Sequence, residues 1–280
     1  MRKITNSEIE RFNNYLINEE KSSSTINKYL NDIVKFKFWV GNKELSKKLV
    51  LSYKSILCNN YSPSSVNVTI SSINCFFDYM KWYDLRVKNL KIQKQIFALT
   101  EKELTKEEYI RLLEAAHQRK NERLYLLMQT ICSTGIRVSE LRYITIEATL
   151  SGIAEINCKG KLRQVFLPNK LCQMLRKFAN ETKIQSGAVF VTKNGIPIDR
   201  SNIWSDMKKL CKIANVSQKK VTPHNLRHLF ARTYYNVQKD IVHLADILGH
   251  SNVNTTRIYT METGEIHRKQ IQKLGLLLNE

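Results

Sequence analysis

Apolar residues return at helical spacing along most of this chain. Ile9, Phe12, Leu16 and Ile17 mark one face of a helix over 6–19, opened by a cap at Asn6/Ser7. Ile26, Tyr29, Ile33, Phe36 and Val40 mark a second, begun in the Ser/Thr run at 22–25 and stopped by Gly41. A third helix is predicted over 45–57. Ser62-Pro63 combines a cap with proline at the first helical position, opening a long helix through Phe76, Phe77 and Trp82. Periodicity lapses over 88–104, which is rich in Lys, Gln and Thr. Thr105-Lys106-Glu107-Glu108 then has the form of a capping box. The pattern predicts a helical unit over 1–95, a linker over 96–104 and a second unit over 105–280.

The second unit opens with helices near 105–117 and 121–133, the latter ended by Ser133-Thr134-Gly135. Another begins just after and carries Val138, Leu141 and Ile144. Over 152–167 the period changes. Ile153, Ile156, Val165, Phe166 and Leu167 flank Lys159-Gly160-Lys161, the pattern of a short β-hairpin. Helices resume near 168–181 and 199–213, and three more near 222–236, 239–248 and 252–261. A tail from about 262 ends in Leu274-Gly275-Leu276-Leu277-Leu278. The fold class predicted is mostly α, with one small antiparallel sheet in the second unit.

Charge narrows the partners. The net charge is +20. Residues 1–100 hold 16 Lys/Arg against 8 Asp/Glu, and the remainder 29 against 17, so both units are basic and no tail explains the excess. Such self-repulsion suits a protein neutralised by a polyanion, and nucleic acid is the natural one. No apolar run approaches the roughly 20 residues that span a bilayer, and a soluble cytoplasmic protein is expected. The six cysteines are scattered singly without zinc spacing, which suits free thiols.

Candidate chemistry lies in three short segments. Thr222-Pro223-His224-Asn225-Leu226-Arg227 sets a capped helix start with an imidazole in its first turn and a guanidinium on the same face, where an anion is favoured. His224 and His228, four apart, also have chelate spacing, but no third ligand stands nearby. In Leu248-Gly249-His250, Gly249 fits a helix C-terminus and puts His250 on a turn; Tyr259 follows nine residues later. Gly135-Ile136-Arg137 supplies a second arginine at a helix start, with Glu140 placed to hold it. Two planar cations suit the charge that builds on a phosphodiester during in-line attack. A tyrosine hydroxyl, with pKa near ~10, needs such company to act as a nucleophile. A lysine on the hairpin is a plausible proton donor to the leaving oxygen. No metal or other cofactor is called for.

In this order and spacing the segments resemble the active site of the tyrosine recombinases, the phage-integrase family. The resemblance rests on Gly135-Ile136-Arg137-Val138-Ser139-Glu140-Leu141, the hairpin lysine, His224-Asn225-Leu226-Arg227, and Leu248-Gly249-His250 with Tyr259. It implies catalytic roles for Arg137, Lys159, His224, Arg227, His250 and Tyr259. Arg137, Arg227 and His250 would clamp the scissile phosphate, His224 would assist proton transfer at Tyr259, and Lys159 would protonate the leaving oxygen. Glu140 would support. Family hairpins read G-K-G-x-K-x-R, whereas Cys158-Lys159-Gly160-Lys161-Leu162-Arg163 is shorter, so Lys161 stays open as the alternative to Lys159. The first unit is similar to the family's SAM-like core-binding domain, expected to grip the face of the duplex opposite the catalytic domain. The implied partners are double-stranded DNA, a homotetramer joining two DNA sites, and an accessory excisionase. The compact form resembles Xer-type recombinases and mobile-element integrases. The apolar tail would dock on a neighbouring protomer or on its own domain. Two other readings are a type IB topoisomerase on the same chemistry and a DNA-binding protein that has kept only the scaffold.

Overall fold

The computed structural model describes residues 2–92, 103–158, 161–259 and 272–273, and the backbone alone of Cys158 and Lys161. Most of the predicted tail from about 262 and most of the predicted linker fall outside them. Chain contacts divide the protein into residues 1–94 and 95–280.

The first unit consists of α1 (Asn6–Asn18), α2 (Ser23–Val40), α3 (Lys47–Asn60) and α4 (Pro63–Tyr79). Its core is aromatic: Phe12, Phe36, Phe76 and Phe77 are all fully buried, with Ile33, Ile70 and Ile73 between them. The helix ends follow capping chemistry. Thr5, rather than Asn6 or Ser7, caps α1, because Glu8 returns its carboxylate to the Thr5 N–H and completes a capping box. Ser22 and Ser62 cap α2 and α4 as their sequence suggests, and Pro63 opens α4. The chain beyond α4 is tied back to it. Asn74 bonds both backbone groups of Val87, and Asn67 bonds those of Leu90. The loss of periodicity near 88 therefore marks a strapped extended segment rather than the start of a free linker.

In the second unit, α5 (Lys106–Gln118) and α6 (Glu122–Thr134) are followed by a 3-10 helix, Val138–Tyr143, and by the short α7 (Ile146–Ser151). The single helix expected after Gly135 is thus two pieces, the first ending at Ile144 and the second capped by Thr145. β1 (Ile153–Cys158) and β2 (Lys161–Phe166) pair antiparallel from Ile153↔Phe166 to Cys158↔Lys161. Ala154, Ile156 and Val165 point inward and Phe166 outward, the alternation of a half-buried hairpin. Then come α8 (Asn169–Glu181), α9 (Arg200–Leu210), α10 (Pro223–Gln238) and α11 (Ile241–Leu248). The last helix expected, over 252–261, is replaced by two 3-10 turns, Val253–Thr255 and Arg257–Tyr259. The β-branched run through Val253, Thr255, Thr256 and Ile258 resists a regular α-helix.

The core of this unit gathers Leu124, Leu127, Met128 and Ile131 of α6 with Leu226 of α10, Leu175 of α8 and Met207 of α9. Tyr259 belongs to a satellite cluster with Ala231, Leu244 and Leu248. α6 and α10 meet at Gly135, which ends α6 in the left-handed region at φ +67°. A Cβ at Gly135 would stand 2.4 Å from Phe230 Cδ1 and 3.1 Å from Leu248 Cδ2. Gly135→Ala is expected to cost about 2–4 kcal/mol through backbone strain and overpacking. Its thermal or urea unfolding midpoint, set against the parent protein, measures this.

Candidate active site

Thr222 accepts from the Asn225 N–H and Pro223 starts α10, so His224 stands in the first turn with its ring at the surface. Arg227 follows one turn on but turns inward and is 2% exposed. Its Nη1 donates to the Gly135 carbonyl at 2.5 Å, and Nη2 to the Leu248 carbonyl at 2.8 Å and His250 Nε2 at 3.0 Å. One guanidinium thus fastens the ends of α6 and α11 to the start of α10. A guanidinium only donates, so His250 Nε2 accepts and Nδ1 carries the hydrogen. Nδ1 then donates to Thr256 Oγ1 at 2.9 Å. Thr256 is fully buried and fixes that ring.

Arg137 enters from the other side of Gly135. Its Nη1 donates to Glu140 Oε1 at 2.9 Å, and its backbone N–H to Glu140 Oε2 at 2.8 Å. Burial works to raise the Glu140 carboxyl. The Arg137 backbone N–H, Arg163 and the Arg137 guanidinium outweigh it and hold Glu140 below the usual carboxylate range. The end of α11 faces the same cations. The Ile247 carbonyl accepts from Arg163, that of Leu248 from Arg227, and that of Gly249 from Arg137 at 3.5 Å. The negative end of the helix dipole is aimed into a cluster of arginines.

Tyr259 is 4% exposed. Its ring meets His228 edge-on at 4.8 Å between centroids and lies nearly parallel to His250 at 6.3 Å. Burial pushes its hydroxyl above the ordinary value, while Arg227 and Arg137 pull it down without prevailing. His228 and His224 meet Nε2 to Nε2 at 2.8 Å, so one donates and the other accepts. The sequence offered His228 only as a chelating partner of His224; in the fold its ring links His224 to Tyr259. Among the described residues, no three His, Cys, Asp or Glu side chains gather as a metal-holding group.

Burial first, then His224 and Arg227, pushes His228 down to about 4. Burial first, then Arg227, Arg137 and Arg163, pushes His250 down to about 4. Unfolded, each would titrate near 6.5. Between those values the unfolded chain binds protons that the folded chain refuses. Stability is therefore complete above about pH 6.5 and lost as pH falls toward 4. The melting temperature should drop from pH 7 to pH 5, and less steeply in His228→Gln. A midpoint that stays level over that range in the parent protein would contradict the assignment.

Arg137, His224, Arg227 and His250 all line one open cleft of about 970 Å³. Arg200 and Trp204 of α9 form its far wall. Lys159 lies outside the described residues. Lys161 pairs with Cys158 at the head of β2. The sequence pattern reaches Arg163 only as part of the hairpin motif and does not reach Trp204. A charged residue two positions from core-facing Val165, hence on the buried side of the hairpin, was the available signal for Arg163. Nothing in the sequence marked Trp204 beyond its size.

Residues 102–265 match the phage integrase family, and residues 9–83 match the phage integrase N-terminal SAM-like domain. The chain belongs to the phage integrase family. This recombinase is 32% identical to the tyrosine recombinase XerA of Thermococcus kodakarensis, over 97% of its own length and 96% of that protein. Its fold is shared with XerH site-specific recombinase bound to its difH substrate in a pre-cleavage complex, with TM-score 0.70 and 20% identity over 96% of this chain and 85% of that one. A lambda integrase tetramer bound to a Holliday junction aligns with TM-score 0.73 and 16% identity, over 90% and 76%. No described helix of the recombinase is long and apolar enough to cross a membrane.

Proposed function

We propose that this tyrosine recombinase performs site-specific strand exchange on double-stranded DNA through a covalent intermediate on Tyr259. The observation that carries the reading is the convergence of Arg137, Arg227 and His250 on one cleft, from three separate stretches of chain, with the Tyr259 ring lying parallel to that of His250 behind it. The Tyr259 hydroxyl attacks the scissile phosphorus, forming the Oη–P bond as the P–O5′ bond breaks and leaving a 3′-phosphotyrosyl end. The hydroxyl proton passes to the His224–His228 pair. The departing O5′ takes a proton from Lys159, or from Lys161 beside it. Arg137 and Arg227 face the non-bridging oxygens, where charge grows, and His250 holds Arg227 in place through Nε2. Rejoining is the same step reversed with a different 5′ hydroxyl.

Both units carry excess positive charge, so both contribute phosphate contacts, and the grip is expected to weaken steeply with salt. Exchange between two sites needs four active subunits, as in the lambda integrase tetramer to which the fold is similar. A homotetramer on two DNA sites follows. Xer-type resolution is favoured over mobile-element integration because the full-length similarity is to a Xer protein.

A duplex nicked so that the cleaved strand diffuses away traps the intermediate. The protein should be found on the 3′ end of the break, through a peptide containing Tyr259, and equally so in EDTA. Attachment to the 5′ end, or cleavage only after Mg²⁺ is restored, would contradict the mechanism. Relaxation of any supercoiled plasmid, without a preferred site, would favour the topoisomerase reading instead.

A further inference from the structure

Arg163 is a charged side chain set on the core-facing side of β2, directly across from buried Ile156. It is 15% exposed. Its Nη2 donates to Glu140 Oε2 at 2.5 Å and its Nη1 to the Ile247 carbonyl at 2.5 Å. Its Nε is buried without a partner. An unpaired buried donor is costly, so the pose is fixed by what the other two nitrogens do. Gly249 makes room for the stem, since a Cβ there would come within 2.6 Å of Arg163 Cδ.

Glu140, 2% exposed, divides its two oxygens. Oε1 takes Arg137 Nη1, and Oε2 is filled by the Arg137 backbone N–H and Arg163. Arg137 therefore meets the carboxylate with one prong of its guanidinium and stays 41% exposed. Arginine and carboxylate favour a two-pronged pairing when both oxygens are free. Vacating half of Oε2 opens that pairing and draws the second prong of Arg137 away from the cleft.

We propose that Arg163 is a positioning residue for DNA cleavage. By occupying Glu140 Oε2 and the Ile247 carbonyl, it keeps Arg137 available to the phosphate and holds the turn that carries His250. Arg163 itself touches no substrate. The inference rests on the reading of Arg137 as a phosphate ligand, and it has a signature that a scaffold residue lacks. A defect acting through Arg137 follows the negative charge on the non-bridging oxygens. It should shrink when that charge is removed chemically.

The test compares single-turnover cleavage of two saturating suicide duplexes, one with the natural scissile phosphate and one with an uncharged methylphosphonate there. The full-length parent, Arg163→Gln, Arg163→Lys and Tyr259→Phe are each measured. On phosphate, Arg163→Gln should be slower by roughly 10–100-fold, the range for losing an outer partner of a site residue. On methylphosphonate its deficit against the parent should largely vanish, with DNA affinity unchanged on both. Arg163→Lys should be intermediate, because one ammonium cannot reach both the carboxylate and the Ile247 carbonyl. Equal deficits on the two substrates would overturn the proposal, as would parental cleavage of phosphate by Arg163→Gln. If Arg163→Gln proves unfolded by circular dichroism, the same comparison with Arg163→Lys decides it by the same criterion. A parent protein that gives no Tyr259-dependent adduct would instead remove the underlying mechanism, a result read from the parent and Tyr259→Phe arms alone.

Discussion

Tyr259→Phe should abolish covalent protein–DNA adducts while leaving the fold and DNA affinity nearly intact. The substitution removes one hydroxyl from a ring that is 4% exposed and packed among Ala231, Leu244 and Leu248. Phenylalanine keeps all of that packing. The deleted hydroxyl gives up a hydrogen bond with Arg227 and the pull of Arg227 and Arg137, but Arg227 keeps the Gly135 and Leu248 carbonyls and His250. Stability should therefore move little, and the melting temperature is the control. Removing a nucleophile outright typically costs roughly 10⁴–10⁶ in rate, which puts adduct formation below detection on a denaturing gel. Persistence of the adduct in this variant would assign the nucleophile to another residue.

Arg227→Lys should lose roughly 10²–10³ in cleavage rate at saturating DNA, the usual effect of removing a preorganised donor to developing charge. Geometry supplies one reason, since a single ammonium cannot bridge the Gly135 and Leu248 carbonyls and His250 together. Burial supplies the other. It lowers Arg227 from 12.5 to about 10, with Arg137 adding to the effect, and leaves it charged at neutral pH. The same burial acting on a lysine, ordinarily near ~10.4, carries it toward neutrality. Residual activity of the lysine variant should accordingly rise on mild acidification. Cleavage within a few-fold of the parent, independent of pH, would refute both reasons.

Much of this site was legible because its parts sit at helix ends, where sequence and geometry are tightly linked. Thr222-Pro223 fixes the start of α10 and with it the faces of His224 and Arg227. Gly135 and Gly249, both at positive φ, fix where Arg137 and His250 leave their helices. The first unit was equally readable, because Ser22, Ser62 and Gly41 act within one turn of themselves. What escaped depends on contacts between distant segments. That Arg163 reaches Glu140 and Ile247 follows only once the hairpin is laid against α11. That Thr256 holds the His250 ring shows only once the turn after α11 is folded back on it. The strapping of Val87 and Leu90 by two asparagines of α4 likewise joins residues 13 and 23 positions apart.

The end of α11 imposes a constraint on how this sequence can drift. Three consecutive carbonyls, of Ile247, Leu248 and Gly249, each meet a different arginine. Successive residues of a helix are rotated by about 100°. An insertion or deletion of one residue between Ile241 and Gly249 would swing all three acceptors together and leave Glu140 and the Gly135 carbonyl as the remaining partners of Arg163, Arg227 and Arg137. Substitutions on the outer side of α11, at Val242 or Asp246, leave that register untouched. The length of this eight-residue helix is thus expected to be far less tolerant of change than its composition.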